Sequence, residues 1–75
     1  MKRIGLLGCG SIGTQIAIAI DTGLIPAKLT HIFDEDKEKS VSLASKLKNK
    51  PEIVENVHLL SSNPVDLVVE AASQD

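Results

Sequence analysis

A chain of 75 residues is at most one small domain, and folding at that size buries only about 60 to 65% of the surface the unfolded chain exposes. With 43% hydrophobic residues, 24% charged, 1% aromatic and a net charge of -2, it suits an aliphatic core and lacks the basic face and stacking rings of a nucleic-acid binder. Its single cysteine, Cys9, excludes an intrachain disulfide and points to a reducing, cytoplasmic setting; the apolar run after Arg3 stops at Leu7, short of a signal peptide or of the roughly 20 residues of a membrane span.

Lys2 to Leu7 reads as a first strand, a short apolar run ending in glycines and suited to burial on both faces of a parallel sheet. From Ile12 to about Asp21 the apolar residues Ile12, Ile16, Ala19 and Ile20 fall on one helical stripe, with Gly23 as the stop. Lys28 to Phe33 reads as a second strand. Asp34, Glu35 and Asp36 then place negative charge at the start of a second helix, where its dipole favours it. That helix is expected to turn Val41, Ala44 and Leu47 inward and to end near Asn49, before Pro51.

Glu52 to Asn56 reads as loop or a short turn, and Val57 to Leu60 as a third strand. Ser61-Ser62-Asn63-Pro64 carries a helix-start signature, but Leu67 to Glu70 already reads as the fourth strand, compressing the third crossover to about a turn. Alternation of strands and helices predicts an α/β fold: a doubly wound, Rossmann-type parallel sheet of about four strands in the order 3-2-1-4. A full domain of this kind continues past a fourth strand. Residues 1–75 are therefore expected to be the N-terminal part of a dinucleotide-binding domain, with a substrate domain elsewhere.

Gly8-Cys9-Gly10-Ser11-Ile12-Gly13 matches G-x-G-x-x-G between a strand and an amphipathic helix, the setting in which the motif binds dinucleotides. Gly8 makes the tight turn, Gly10 lets the pyrophosphate approach the backbone, and Gly13 lets helix and strand pack closely. The amides of Ser11 and Ile12 are expected to face the anion with the helix dipole behind them. A nucleoside-triphosphate loop would need a lysine where Thr14 stands, so that reading fails.

Asp34 closes the second strand about 20 residues beyond Gly13, the spacing of the acid that accepts hydrogen bonds from the adenosine ribose; it could also cap the second helix. With Glu35 and Asp36 beside it, a ribose phosphate would meet like charge, which favours NAD over NADP, although Lys37 and Lys39 lie close enough to leave NADP possible. Ala71, Ala72 and Ser73 follow the fourth strand at the switch point. They either leave room for the nicotinamide riboside, with Ser73 offering a hydrogen bond, or merely begin a helix.

Cys9 has no histidine or second cysteine beside it and reads as a small loop residue. His31, in the second strand, and His58, in the third, lack metal-ligand spacing and read as packing residues. No catalytic acid or base is assigned to these residues, and no metal site.

Together Ile4-Gly5-Leu6-Leu7-Gly8-Cys9-Gly10-Ser11-Ile12-Gly13-Thr14 and Asp66-Leu67-Val68-Val69-Glu70-Ala71-Ala72-Ser73-Gln74 resemble the N-terminal domain of the L-aspartate dehydrogenase family. The glycine segment is shared by many dehydrogenases; the Val-Glu-Ala-Ala-Ser-Gln ending is more particular to this family. The resemblance implies NAD(P)-dependent oxidation of L-aspartate to iminoaspartate, which gives oxaloacetate and ammonia or feeds NAD biosynthesis. It also implies a second domain that binds the amino acid, carries the catalytic histidine and mediates dimerisation, so that the whole protein is a homo-oligomer and these 75 residues alone are inactive. Another amino-acid dehydrogenase, such as homoserine dehydrogenase, shares the same first domain. A non-catalytic NAD(H)-sensing domain is the reading of a different class. A S-adenosylmethionine site fits the three glycines and Asp34 less well.

Overall fold

A computed structural model gives the fold of residues 1–62 and 64–71. Strand β1 (Lys2–Leu7) lies between β2 (Ala27–Phe33) and β4 (Leu67–Glu70), and β3 (Glu52–Ile53) flanks β2; all pairings are parallel, in the order β3-β2-β1-β4. The predicted doubly wound order is therefore present. Because the chain steps outward from β1 on one side and returns to its other side at β4, the switch point falls beside Leu7, Phe33 and Glu70. The register slips between Ile4 and Gly5, which pair with Leu29 and His31 and leave Thr30 as the extra residue of a bulge.

Side chains alternate across a strand, and β1 uses both faces. Ile4 and Leu6 point toward helix α1 (Ser11–Asp21), where they join Ala17, Ile20, Leu29 and Ile32 in the main core. Helix α2 (Lys37–Ser45) adds Leu43 and Ala44, followed by Leu47. Gly5 faces the other way, toward the short helix α3 (His58–Ser62): a Cβ added at Gly5 would meet Leu60 Cδ2 at 3.4 Å, and Leu60 is buried.

Several local expectations are corrected. The third strand is Glu52–Ile53 rather than Val57 to Leu60, which instead enters α3. Four consecutive apolar or half-apolar residues satisfy either period, and here Leu59 and Leu60 donate to the carbonyls of Asn56 and Val57 at 3.1 Å, closing a helical turn. That turn places Leu60 over the space Gly5 leaves open. Val54 N–H donates to Ile32 O at 3.0 Å, so the strand that replaces the expected one is held to β2. The third crossover is accordingly a five-residue helix with flanking loops, not a single turn, and His58 opens that helix instead of lying in a strand.

The helices are also rotated relative to their expected stripes. On α1 the inward positions are Gly13, Ile16, Ala17 and Ile20, and Ile12 is 46% exposed. On α2 the inward set is Ser40, Leu43 and Ala44, while Val41 lies 49% exposed. The helix begins at Lys37, capped by Asp36, and this phase carries Val41 off the buried face. It ends at Ser45, four residues before Asn49. Lys50 Nζ donates to the carbonyls of Leu47 at 2.7 Å and Ala44 at 3.1 Å, the latter shared with Leu47 N–H at 3.2 Å, and so closes the end of the helix. Gly23, with φ of 85°, ends α1 as expected.

Two exposed carboxylates fasten the end of the sheet opposite the switch point. Asp21 accepts from the amides of Lys48 at 2.8 Å and Asn49 at 3.0 Å, and Asp66 accepts from Arg3 N–H at 2.7 Å. These backbone donors, Asn49 and Lys48 for Asp21 and Arg3 for Asp66, hold both carboxyls below the usual aspartate value. A depressed folded value means the stabilisation is fully present above the unfolded value of about 3.9 and is lost as pH falls through the folded one. Replacing both by Asn should therefore flatten the acid limb of the stability curve below pH about 4. Thermal melts across that range check it; an unchanged acid limb would mean that neither carboxylate contributes.

No helix among the described residues is long and apolar enough to cross a membrane.

Candidate functional site

The carboxyl ends of β1, β2 and β4 open onto a cavity of about 640 Å³. Leu7, Gly8 and Gly10 form its floor, and Phe33, Asp34 and Glu35 one wall. Asn56, Val57 and His58, at the entry to α3, border it together with Glu70, Ala71 and Lys39. A parallel sheet places ligands at this position, outside the carboxyl ends of strands where the order reverses.

The loop geometry explains two of its glycines directly. Gly8 has φ of 104°, a left-handed conformation that a side chain strains, and its N–H donates to Phe33 O at 2.8 Å. At Gly13 an added Cβ would fall on the Gly8 carbonyl oxygen and lie 2.9 Å from the carbonyl carbon. Helix and loop therefore touch backbone to backbone. Gly10, at φ −77° and ψ −154°, has a conformation open to any residue, so its lack of a side chain matters for what approaches it and not for the turn.

Gly10 is also the N-cap of α1, and it supplies no side-chain cap; no acidic residue lies in the first turn. Most helices place Ser, Thr, Asp or Asn at this point. Here the positive end of the α1 dipole meets the cavity without a carboxylate of its own turn to neutralise it, which suits an anionic group.

Asp34 is bound on both oxygens. Its Oδ2 accepts from Cys9 N–H at 2.7 Å, inside the glycine loop, and its Oδ1 accepts from Asp36 N–H at 2.8 Å. The cap of α2 is Asp36, whose Oδ1 accepts from Glu38 N–H at 3.1 Å. Asp34 is thus a clamp between the first and second strand ends rather than a helix cap. Two backbone donors fix its orientation and leave further lone pairs for hydroxyl donors.

Cys9 is buried, with Sγ 3.8 Å from both Phe33 O and Ser40 Oγ. Burial pushes its thiol pKa up and the Asp34 charge adds to this, against the opposing Ser40 contact. Such a thiol is the reverse of an activated one. His31 lies in the sheet, with Nδ1 2.8 Å from Thr30 Oγ1 and Nε2 3.6 Å from Glu52 Oε1. Its contacts are those of a packing residue, away from the cavity.

Gly8, Gly10, Asp34 and Ala71 meet in one cavity, Ser11 lines the adjoining groove, and Ile12 and Gly13 follow in the first turn of α1. Ala72 and Ser73 lie outside the described residues. Asn56, Val57 and Glu70 border the cavity without having been singled out from sequence, as does His58, which was read as a packing residue. Val57 and His58 were hidden by the strand reading of Val57 to Leu60 and Asn56 by the loop reading of Glu52 to Asn56, and only Glu70, as the last residue of β4, carried a positional signal. A second, more apolar cavity of about 430 Å³ lies at the opposite end, among Ala17, Ile20, Ile25 and Leu29. It has neither the glycine loop nor a strand carboxyl end.

The parallel sheet, the backbone-packed glycine loop and the anchored acid at the second strand define a dinucleotide-binding domain. A family model described as "Homoserine dehydrogenase, NAD binding domain" matches residues 8–75, and the chain belongs to that family, whose cofactor is a nicotinamide dinucleotide. Among curated relatives, the L-aspartate dehydrogenase of Nitrosopumilus maritimus (strain SCM1) is 72% identical over 75 residues, covering 100% of this chain and 28% of the relative. The L-aspartate dehydrogenase of Methanocella arvoryzae is 46% identical over 74 residues (99% of this chain, 27% of the relative), and that of Methanosarcina mazei 47% over 76 (100% and 27%). The chain spans little more than a quarter of the length of these relatives.

Proposed function

We propose that this chain is the cofactor-holding part of an NAD(P)-dependent amino-acid dehydrogenase, with L-aspartate as substrate. The observation that carries the cofactor half is the Asp34 clamp: one carboxylate, set by Cys9 N–H at 2.7 Å, joins the phosphate-facing loop to the end of the second strand. In this reading the amides at the start of α1, those of Ser11 and Ile12 among them, receive the pyrophosphate over Gly8 and Gly10. Asp34 accepts from the ribose hydroxyls, and the Ala71-Ala72-Ser73 segment borders the nicotinamide riboside. The bound dinucleotide supplies hydride transfer, and these residues bind and orient it.

The substrate half rests on the names of the relatives, which are L-aspartate dehydrogenases at up to 72% identity. Residues 1–75 are then the N-terminal part of the cofactor domain, and the amino acid and the catalytic groups belong to the remainder of a cytoplasmic, homo-oligomeric protein. The description of the matching family favours homoserine as the second reading. The test is NAD(P)+ reduction by the full-length protein with a panel of amino acids. Reduction with L-aspartate supports the first reading; reduction with homoserine but not L-aspartate replaces it.

A further inference from the structure

We propose that Glu70 makes the site read the redox state of the nicotinamide ring, its carboxylate favouring the cationic ring of NAD+ over the neutral ring of NADH. The proposal rests on the dinucleotide reading of the main cavity. Paired residues share a face of the sheet and faces alternate along each strand, so Leu7 and Glu70, two residues beyond the Gly5 and Val68 pair, stand on the face that carries α3. Glu70 is exposed there and borders the main cavity, together with Val57 and His58 at the entry to α3.

Charge around the cavity is divided between its two sides. Asp34, Glu35 and Lys39 border it on the side of β2 and α2, and Glu70 is the charged residue at the end of β4. The ion pairs among the described residues join Arg3 to Asp66, His31 to Glu52 and Lys37 to Glu55. None of them neutralises Glu70, whose carboxylate also has no hydrogen-bonded partner among those residues. Neighbouring strands lie about 4.8 Å apart, so the ends of β2 and β4, on either side of β1, stand roughly 10 Å apart. With the pyrophosphate over Gly8 and Gly10 and the adenosine ribose at Asp34, the β4 side is left for the second riboside. Glu70 is the fixed charge it meets there.

The backbone of Glu70 is well held. It pairs with Leu7, and Ala71 N–H donates to Leu7 O at 2.7 Å, which carries the ladder one residue further. A charge carried on a strand end keeps its place better than one carried on a loop. The two redox states differ by one positive charge on the ring, whereas their adenosine and pyrophosphate parts are the same. A carboxylate beside the ring therefore acts on the difference between NAD+ and NADH, and its repulsion of the phosphates cancels in their ratio. The same difference eases departure of the reduced cofactor, because affinity differences between related ligands fall mostly on the rate of release.

The experiment is titration calorimetry of the full-length protein and its Glu70→Gln and Glu70→Asp variants with NAD+, NADH and ADP-ribose, the last lacking the ring. Glu70 is exposed and glutamine matches its size, so the fold should be undisturbed, and circular dichroism verifies that. Glu70→Gln is expected to lower the ratio of the NADH to the NAD+ dissociation constant about three- to tenfold, the size expected of one charge pair about 6 Å apart near a solvated surface. Glu70→Asp keeps the charge and should keep most of the parental ratio. Equal changes for NAD+, NADH and ADP-ribose would place Glu70 on the shared part of the cofactor and overturn the proposal. An unchanged ratio in Glu70→Gln, or the same fall in Glu70→Asp, would overturn it as well. A parent that binds none of the three ligands overturns the dinucleotide reading beneath it.

Discussion

Gly13→Ala is expected to lower the melting temperature by roughly 10 °C or more and to weaken NAD+ binding at least about tenfold. The new Cβ would fall on the Gly8 carbonyl, and its obstacle is backbone that cannot rotate away. Overpacking in a well-packed site costs about 1–3 kcal/mol when side chains can adjust; here either α1 must lift from β1 or the Gly8 turn must open. Both movements displace the amides at the helix start. Gly23→Ala is the control. It meets nothing within 4 Å but sits at φ 85°, so it should cost about 1 kcal/mol of stability and leave binding alone. Thermal melts and calorimetry of the two variants check the pair. Parental stability and affinity in Gly13→Ala would contradict the helix-on-loop contact.

Asp34→Ala is expected to cost about 2 kcal/mol of stability and to weaken NAD+ far more than NADP+. Two amides, those of Cys9 and Asp36, lose a charged acceptor at once, and hydrogen bonds to charged groups are worth about 1.5–3 kcal/mol where water cannot replace them. Asp36 is exposed and water can serve its amide, so most of the cost falls at the part-buried Cys9 amide. Asp34→Asn is informative for a different reason. A carboxamide has one accepting end, so turning it to Cys9 leaves its NH2 facing Asp36 N–H, a donor against a donor. Its stability should fall between the parent and Asp34→Ala. Calorimetry with both cofactors decides the second half: equal losses for NAD+ and NADP+ would mean that Asp34 serves the loop and does not read the ribose.

What the sequence made legible was local or set by a fixed spacing. The first strand, the glycine turn and the helix after it are adjacent in the chain, and Asp34 is placed by the length of one crossover. Its position could be read, but its hold on Cys9 N–H could not, because that bond joins two strand ends that only the folded sheet brings together. The third strand failed for the reason such short apolar runs fail. Val57 to Leu60 suits either period, and the choice is made by the space above Gly5 that Leu60 fills.

Helix phase was lost in the same way. Ser40 is polar and Ala17 small, so neither stands out in a hydrophobic pattern, yet both are buried, Ser40 beside Cys9 and Ala17 in the main core. Val41 and Ile12, the more apolar choices, face outward. Lys37 and Lys39 were equivalent as sequence neighbours of Asp34, and only the fold separates them: Lys37 Nζ lies 3.4 Å from Glu55 Oε2, on the loop after β3, whereas Lys39 borders the main cavity.

The most direct measurement is an NAD+ titration of the protein followed by backbone amide chemical shifts. The largest changes are predicted at Gly8 to Gly13, at Asp34 and Glu35, and at Asn56 to His58, which surround the cavity at the strand carboxyl ends. Changes concentrated instead around Ala17, Ile20 and Ile25 to Leu29, at the opposite cavity, would contradict the assignment of the site, and so would saturating NAD+ that shifts no amide of the glycine loop.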